Sequence, residues 1–167
     1  MSAPDLVLVG IPGSGKSTVA ALLAERWRRP LVEVDDRVEA VLGSSAAEAF
    51  ARGEDPWRAV EEQESLTALA APGVVALGSG AVDSAAVREA LAGLPVVWLR
   101  TSVSAATRRL GMNALGMGAL VAIRNRLDAL LAERAPCYEA VAGLVVDTDR
   151  LTAEQVAAAI DERGGGR

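Results

Sequence analysis

The sequence predicts an α/β fold built on a parallel sheet, and three observations point there. Short β-branched runs alternate with longer amphipathic segments along the whole chain. The runs are continuously apolar, as strands are when helices cover both faces. The first of them passes directly into a glycine-rich loop and then an amphipathic helix.

Strands are expected at residues 5–10, 31–34, 73–77, 95–99 and 144–146. Helices are expected at 16–27, 56–71, 83–92, 103–110, 124–134 and 152–162. Strands alternating with helices imply right-handed crossovers. A chain of 167 residues suits one domain, expected over 1–163, with a flexible glycine-rich tail at 164–167.

Composition narrows the function classes. Apolar residues make up 51% and aromatics 3%, too few rings for a base-stacking surface. A net charge of -5 likewise speaks against nucleic acid as the partner. Histidine is absent, which removes Ser-His-Asp and Cys-His catalysis and disfavours a zinc centre. Cys137 is the only cysteine, so no intramolecular disulfide forms. No run approaches the ~18 apolar residues that a membrane helix needs, and residues 1–8 lack the pattern of a signal peptide. The expectation is a cytoplasmic monomer acting on a small molecule, without nucleic-acid or membrane partners.

The strongest motif is Gly10-Ile-Pro-Gly13-Ser14-Gly15-Lys16-Ser17, which satisfies the phosphate-loop pattern G-x-x-x-x-G-K-[ST]. Its glycines let consecutive N–H groups turn inward around an anion, and the following helix adds its dipole. A lysine in the first helical turn opposes that dipole unless an anion sits there. Gly13, Ser14, Gly15, Lys16, Ser17 and Thr18 are therefore the candidate nucleotide ligands, with Lys16 reaching the outer phosphates and Ser17 a Mg²⁺ ion.

Ligands of open α/β sheets lie beyond the carboxyl ends of the strands. The second strand ends there in Glu33-Val-Asp35-Asp36. Two residues apart on an extended chain, Glu33 and Asp35 are expected to point the same way. Glu33 is the candidate for holding Mg²⁺ through water, and Asp35 for accepting a substrate hydroxyl proton. Asp36, followed by Glu39, reads as a helix cap. Further along, Asp55-Pro56 reads as a helix start with Asp55 as its cap. Arg58 then stands in a first turn, where a cation needs a negative partner: Glu61, Glu62 or a ligand carboxylate. Gly78-Ser79-Gly80 ends the third strand in a turn whose N–H groups could serve a substrate oxygen.

Together these segments resemble the shikimate kinases over nearly the whole chain. The likeness rests on the phosphate loop, Glu33-Val-Asp35, Trp57-Arg58-Ala-Val-Glu61, Gly78-Ser-Gly80, Arg134-Ala-Pro136-Cys-Tyr138 and Val145-Val-Asp147-Thr-Asp149. It implies a three-layer sandwich with a five-stranded parallel sheet in the order 2-3-1-4-5. It also implies ATP-dependent phosphorylation of the 3-hydroxyl of shikimate with Mg²⁺. Asp35 would orient or deprotonate that hydroxyl, and Arg58 and Arg134 would clamp the shikimate carboxylate. Gly78 and Gly80 would line the substrate, and Arg109 would lie against the adenine. Gluconate-type kinases share the loop and the size, and a non-catalytic ATP- or shikimate-binding regulatory module is the alternative from another class.

The chain departs from the family in several places. Glu33 replaces an aspartate, Ser79 a glycine, Trp57 a phenylalanine, and Ala153 a proline beside the adenine. In the lid, about residues 111–123, Gly116-Met117 aligns with the family's Arg-Pro pair. No cation stands between Gly111 and Ile123, so slow turnover is expected unless Arg124 or Arg126 substitutes.

Overall fold

Successive residues of a strand face opposite sides of a sheet, and here both sides are apolar. Leu6 and Leu8 enter one buried cluster, Val7 and Val9 the other. The computed structural model describes residues 2–45, 48, 55–111 and 116–164. Its strands β1 (Leu6–Val9), β2 (Leu31–Glu33), β3 (Val74–Ala76), β4 (Val96–Arg100) and β5 (Leu144–Asp147) pair in parallel. Their order is β2-β3-β1-β4-β5, the order that the resemblance implies.

Helix α1 (Lys16–Trp27) and the C-terminal helix Ala153–Glu162 cover the face of Leu6 and Leu8, through Val19, Leu23, Val156 and Ile160. Trp27 and Asp161 tie the two together by an indole hydrogen bond of 2.7 Å. The other face is covered from α2 (Val34–Leu42), α3 (Asp55–Leu69), α4 (Ala85–Leu91) and a 25-residue helix, Met117–Val141. Val34, Val38, Trp57, Leu91, Leu127 and Tyr138 pack there. With α5 (Val103–Arg109) between β4 and the long helix, the long helix is α6 and Ala153–Glu162 is α7.

Several expectations are corrected. α2 was expected only as a cap at Asp36, without a span: β2 stops at Glu33, and Val34, Val38 and Leu42 recur at the i, i+4 spacing of a buried helical stripe. Glu33, not Asp36, occupies its N-cap, and Asp36 lies in the first turn. α3 starts at Asp55, which is therefore inside the helix rather than before it. The expected helix at 83–92 divides into a 3-10 turn, Ala81–Asp83, and α4, capped by Ser84. α6 runs through Pro136 to Val141 instead of ending at Arg134, and its first turns take up residues 117–123 of the expected lid. Lid residues 112–115 and tail residues 165–167 lie outside the described residues. Among the described residues no helix is long and apolar enough to cross a membrane.

A proline inside a helix removes one hydrogen bond and costs about 3 kcal/mol, so tertiary contacts have to hold α6 together across Pro136. Tyr138, with no solvent exposure, donates its hydroxyl to the Ser79 carbonyl at 2.6 Å and packs its ring 5.7 Å from Trp98. Tyr138→Phe keeps the ring but strips a buried carbonyl of its donor. It should lower stability by about 1–2 kcal/mol, read as an earlier urea midpoint with an unchanged slope.

Candidate active site

The carboxyl ends of β1, β2 and β3 meet the N-termini of α1 and α2 along one edge of the sheet. Between β1 and α1, the loop doubles back because Gly13 and Gly15 take φ of 83° and 92°. A side chain at Gly13 would meet the Ala106 carbonyl oxygen at 2.6 Å, so the loop packs directly on α5. Gly13, Ser14, Gly15, Lys16, Ser17, Thr18, Glu33, Asp35 and Arg109 all line one cleft of about 480 Å³. The nucleotide, metal and proton-transfer candidates are thus in one place, whereas Arg124 and Arg126 do not line the cleft.

Lys16 is the only lysine in the chain. Its ammonium folds inward over the loop and donates to the carbonyls of Gly10 at 2.7 Å and Ile11 at 3.1 Å. Burial lowers its pKa to about 8, against the opposing pull of Asp35 and Glu33. At the same rim Ser17 donates to Glu33 at 3.1 Å. Burial raises the pKa of Glu33, offset in part by that hydrogen bond. It raises Asp35 as well, with Lys16 acting the other way. Glu33 and Asp35 line the same cleft, but not as two positions of one strand: Glu33 is extended, and Asp35 sits in the first turn of α2.

Ser17 and Glu33 suit Mg²⁺, which takes few protein oxygens and keeps phosphate and water as its other ligands. Among the described residues no cluster of three or more carboxylate, cysteine or histidine ligands occurs. Arg109 donates to the Thr148 carbonyl at 2.6 Å and hydroxyl at 2.8 Å, which fixes its guanidinium at the wall of the cleft. Thr148 was not anticipated, although it lies in the Val145–Asp149 segment that carried part of the resemblance.

Beyond Asp35 lies the turn after β3. A Cβ at Gly78 would fall 2.2 Å from a Glu61 carboxylate oxygen and 2.6 Å from one of Asp35. A Cβ at Gly80 would fall 1.7 Å from Arg58 Nη1 and 2.9 Å from Arg134 Nη2. The two glycines therefore let two carboxylates and two guanidiniums close on the backbone. Arg58 and Gly80 border a second cavity of about 310 Å³, with Glu61 and Asp83. Gly78 and Arg134 line neither cavity; Arg134 is 2% exposed, behind the turn. Arg58 pairs with Glu61 at 2.9 Å, the helical neighbour that its position called for. Arg134 lies mid-helix, not at a helix end, and pairs with Asp83 at 3.1 Å. Asp83 and Tyr138 had no assigned part in this site, since a carboxylate after a glycine turn reads as an ordinary helix start. Arg124 is half-buried and Arg126 exposed on α6.

Comparison with known proteins points to one family. A family model described as shikimate kinase matches residues 12–163. A shikimate kinase of Thermobifida fusca is 41% identical over 158 residues, covering 93% of this chain and 92% of that one. One of Mycobacterium bovis is 45% identical over 153 residues, covering 89% and 86%. The structure of shikimate kinase from Acinetobacter baumannii in complex with shikimate superposes with a TM-score of 0.82 at 30% identity, over 98% of this chain and 93% of that one.

The buried ammonium offers a direct measurement. With a single lysine, NMR titration of labelled lysine side chains reports Lys16 alone, and its midpoint should lie near 8 in the free protein. A nucleotide polyphosphate favours the charged form, so ADP should move the midpoint upward. A midpoint near the ordinary 10.5, unmoved by ADP, would show that the ammonium is neither buried nor facing phosphate.

Proposed function

The chain belongs to the shikimate kinase family, and from that premise we propose that it transfers the γ-phosphoryl group of ATP to the 3-hydroxyl of shikimate. The observation that carries this reading is continuity. A phosphate loop, a carboxylate of raised pKa and an arginine pair lie in sequence along one sheet edge, joined through Asp35 and Gly78.

In this reading the Arg58 and Arg134 guanidiniums take the planar carboxylate of the substrate, a geometry suited to their fork. Gly80 and Gly78 line the ring, with the Gly80 N–H donating to a hydroxyl. Asp35 accepts hydrogen from the attacking hydroxyl, and its raised pKa makes it a better proton acceptor than an ordinary aspartate. The hydroxyl oxygen bonds to the γ-phosphorus as the bond to the β-bridging oxygen breaks, the proton passes to Asp35, and ADP leaves. Gly13, Ser14, Gly15 and Thr18 surround the phosphates, while Lys16 draws charge from the leaving side. Arg109, fixed by Thr148, faces the adenine. Ser17 and Glu33 would hold Mg²⁺, which when bound would neutralise phosphate charge. Positioning and electrostatics thus supply most of the catalysis.

The lid sets the rate in this reading. Of the expected lid, the described residues 116–123 bear no charge, so no cation from that stretch meets the γ-phosphate oxygens. An arginine that meets the same charge in GTPases, there a finger rather than a lid residue, contributes roughly 10³–10⁵ in rate. The local structure accepts a repair. Gly116 is the N-cap of α6 with φ of -58° and nothing within 4 Å of a Cβ. Met117 is the first helical residue, 78% exposed, where proline is favoured.

ADP release with Mg-ATP, with shikimate and gluconate offered in parallel, tests the reading. Turnover should occur with shikimate alone; gluconate turnover would reassign the substrate, and none with either would favour a regulatory module. Gly116→Arg with Met117→Pro should raise kcat at least tenfold, about 1.4 kcal/mol of barrier, with little change in the shikimate KM. A native rate of about 10 s⁻¹ that the double variant leaves unchanged would refute the lid argument.

A further inference from the structure

Two guanidiniums and two carboxylates meet around Gly80, and their formal charges cancel. Glu61, 2% exposed, takes Arg58 at 2.9 Å. Asp83 takes Arg134 Nη2 at 3.1 Å and Nε at 3.4 Å, and stands 3.9 Å from Arg58 Nη2. The two acids are not equivalent. Glu61 is buried on α3, one helical turn from its partner. Asp83 ends the 3-10 turn with 35% of its side chain exposed and lines the smaller cavity, while Arg134 does not reach that wall. From the cavity, Asp83 is the carboxylate in front of Arg134.

We propose that Asp83 is a specificity-determining residue of this subsite: an internal carboxylate that occupies the Arg58–Arg134 pair until an incoming carboxylate displaces or shares it. The inference rests on the reading of those arginines as ligands of the substrate's carboxylate. A buried guanidinium stripped of its partner is costly, so before substrate arrives Asp83 supplies the counter-charge that Arg134 needs. A substrate carboxylate offers the same chemistry, a planar anion for a guanidinium fork. It therefore competes with Asp83, and the repulsion of two like charges in one site weakens its binding. Asp83 stabilises the free protein at the expense of affinity for anionic substrates.

The test is shikimate titration calorimetry on the native protein and on Asp83→Asn, which keeps the shape and removes the charge. The variant should bind shikimate about three- to tenfold more tightly and show a KM lower by the same factor, without a higher kcat. ADP affinity is the internal control and should not change. The melting temperature of the ligand-free variant should fall, while the rise produced by shikimate should grow. Equal or weaker shikimate binding by the variant would overturn the proposal and leave Asp83 as a residue that merely orients Arg134.

A second measurement needs no variant. If Asp83 already neutralises the pair, the native protein should bind shikimate methyl ester less than tenfold more weakly than shikimate. A loss beyond a hundredfold would show that the substrate carboxylate, not Asp83, supplies the counter-charge and sink the idea. Phosphorylation of shikimate with identical binding by the two proteins would defeat the role of Asp83 alone. Absence of shikimate binding in both would defeat the substrate reading with it, whereas binding only by Asp83→Asn would support the proposal.

Discussion

With 3% of its side chain exposed, Arg134 has to have its charge met inside the protein, and much of the site follows from how that is done. Its guanidinium reaches Asp83 and the Ser79 hydroxyl, and one turn later Tyr138 reaches the Ser79 carbonyl. Helix α6 is thereby pinned to the turn after β3 from two successive turns. That turn carries Gly78 and Gly80, on which Glu61, Asp35 and Arg58 converge. A single buried cation thus fixes the position of a long helix, the path of a glycine turn and the packing of the acids beside it.

The phosphate end of the cleft is organised differently. Its loop cation is Lys16, with Arg109 at the wall, and its acids Glu33 and Asp35 are half-buried at the sheet edge. Burial acts against three of the charges there: it pulls Lys16 down and pushes Glu33 and Asp35 up. Lys16 and the two acids partly offset these shifts in one another, while Asp35 pushes Glu33 further up. Where the arginine subsite is closed by charge pairs at hydrogen-bond distance, the phosphate subsite is held by groups that still have capacity for another charge.

How much of this was legible in the sequence depended on the range of the interactions. The phosphate loop and α1 were read with their correct limits, since glycine spacing and a 3.6-residue stripe are local facts. Glu33 and Asp35 were placed on the right edge for a partly wrong reason, because the chain turns helical at Val34 where β-branched residues suggested a strand. The length of α6 was hidden by Pro136, a strong local stop signal that the contacts of Arg134 and Tyr138 override. The 2-3-1-4-5 order came from family resemblance alone, as pairing between strands distant in sequence leaves no local trace. Asp83 escaped notice for the same reason: its partner stands 51 residues away.

In the proposed reading, the absence of charge at residues 116–123 places more of the phosphate chemistry on Lys16. With a pKa of about 8, its charged form outweighs the neutral one by about ten to one at pH 7. Desolvation already acts against that charge before nucleotide arrives, and an anion in the loop relieves the cost. Part of the nucleotide's binding free energy is therefore spent on stabilising the very cation that the transfer needs. Interactions realised before the transition state lower KM more than they raise kcat. A cation carried on a lid differs, because it can approach as the γ-phosphoryl charge spreads over its oxygens. In the proposed reading, a site that relies on a resident lysine, with no cation among residues 116–123, gains affinity ahead of turnover.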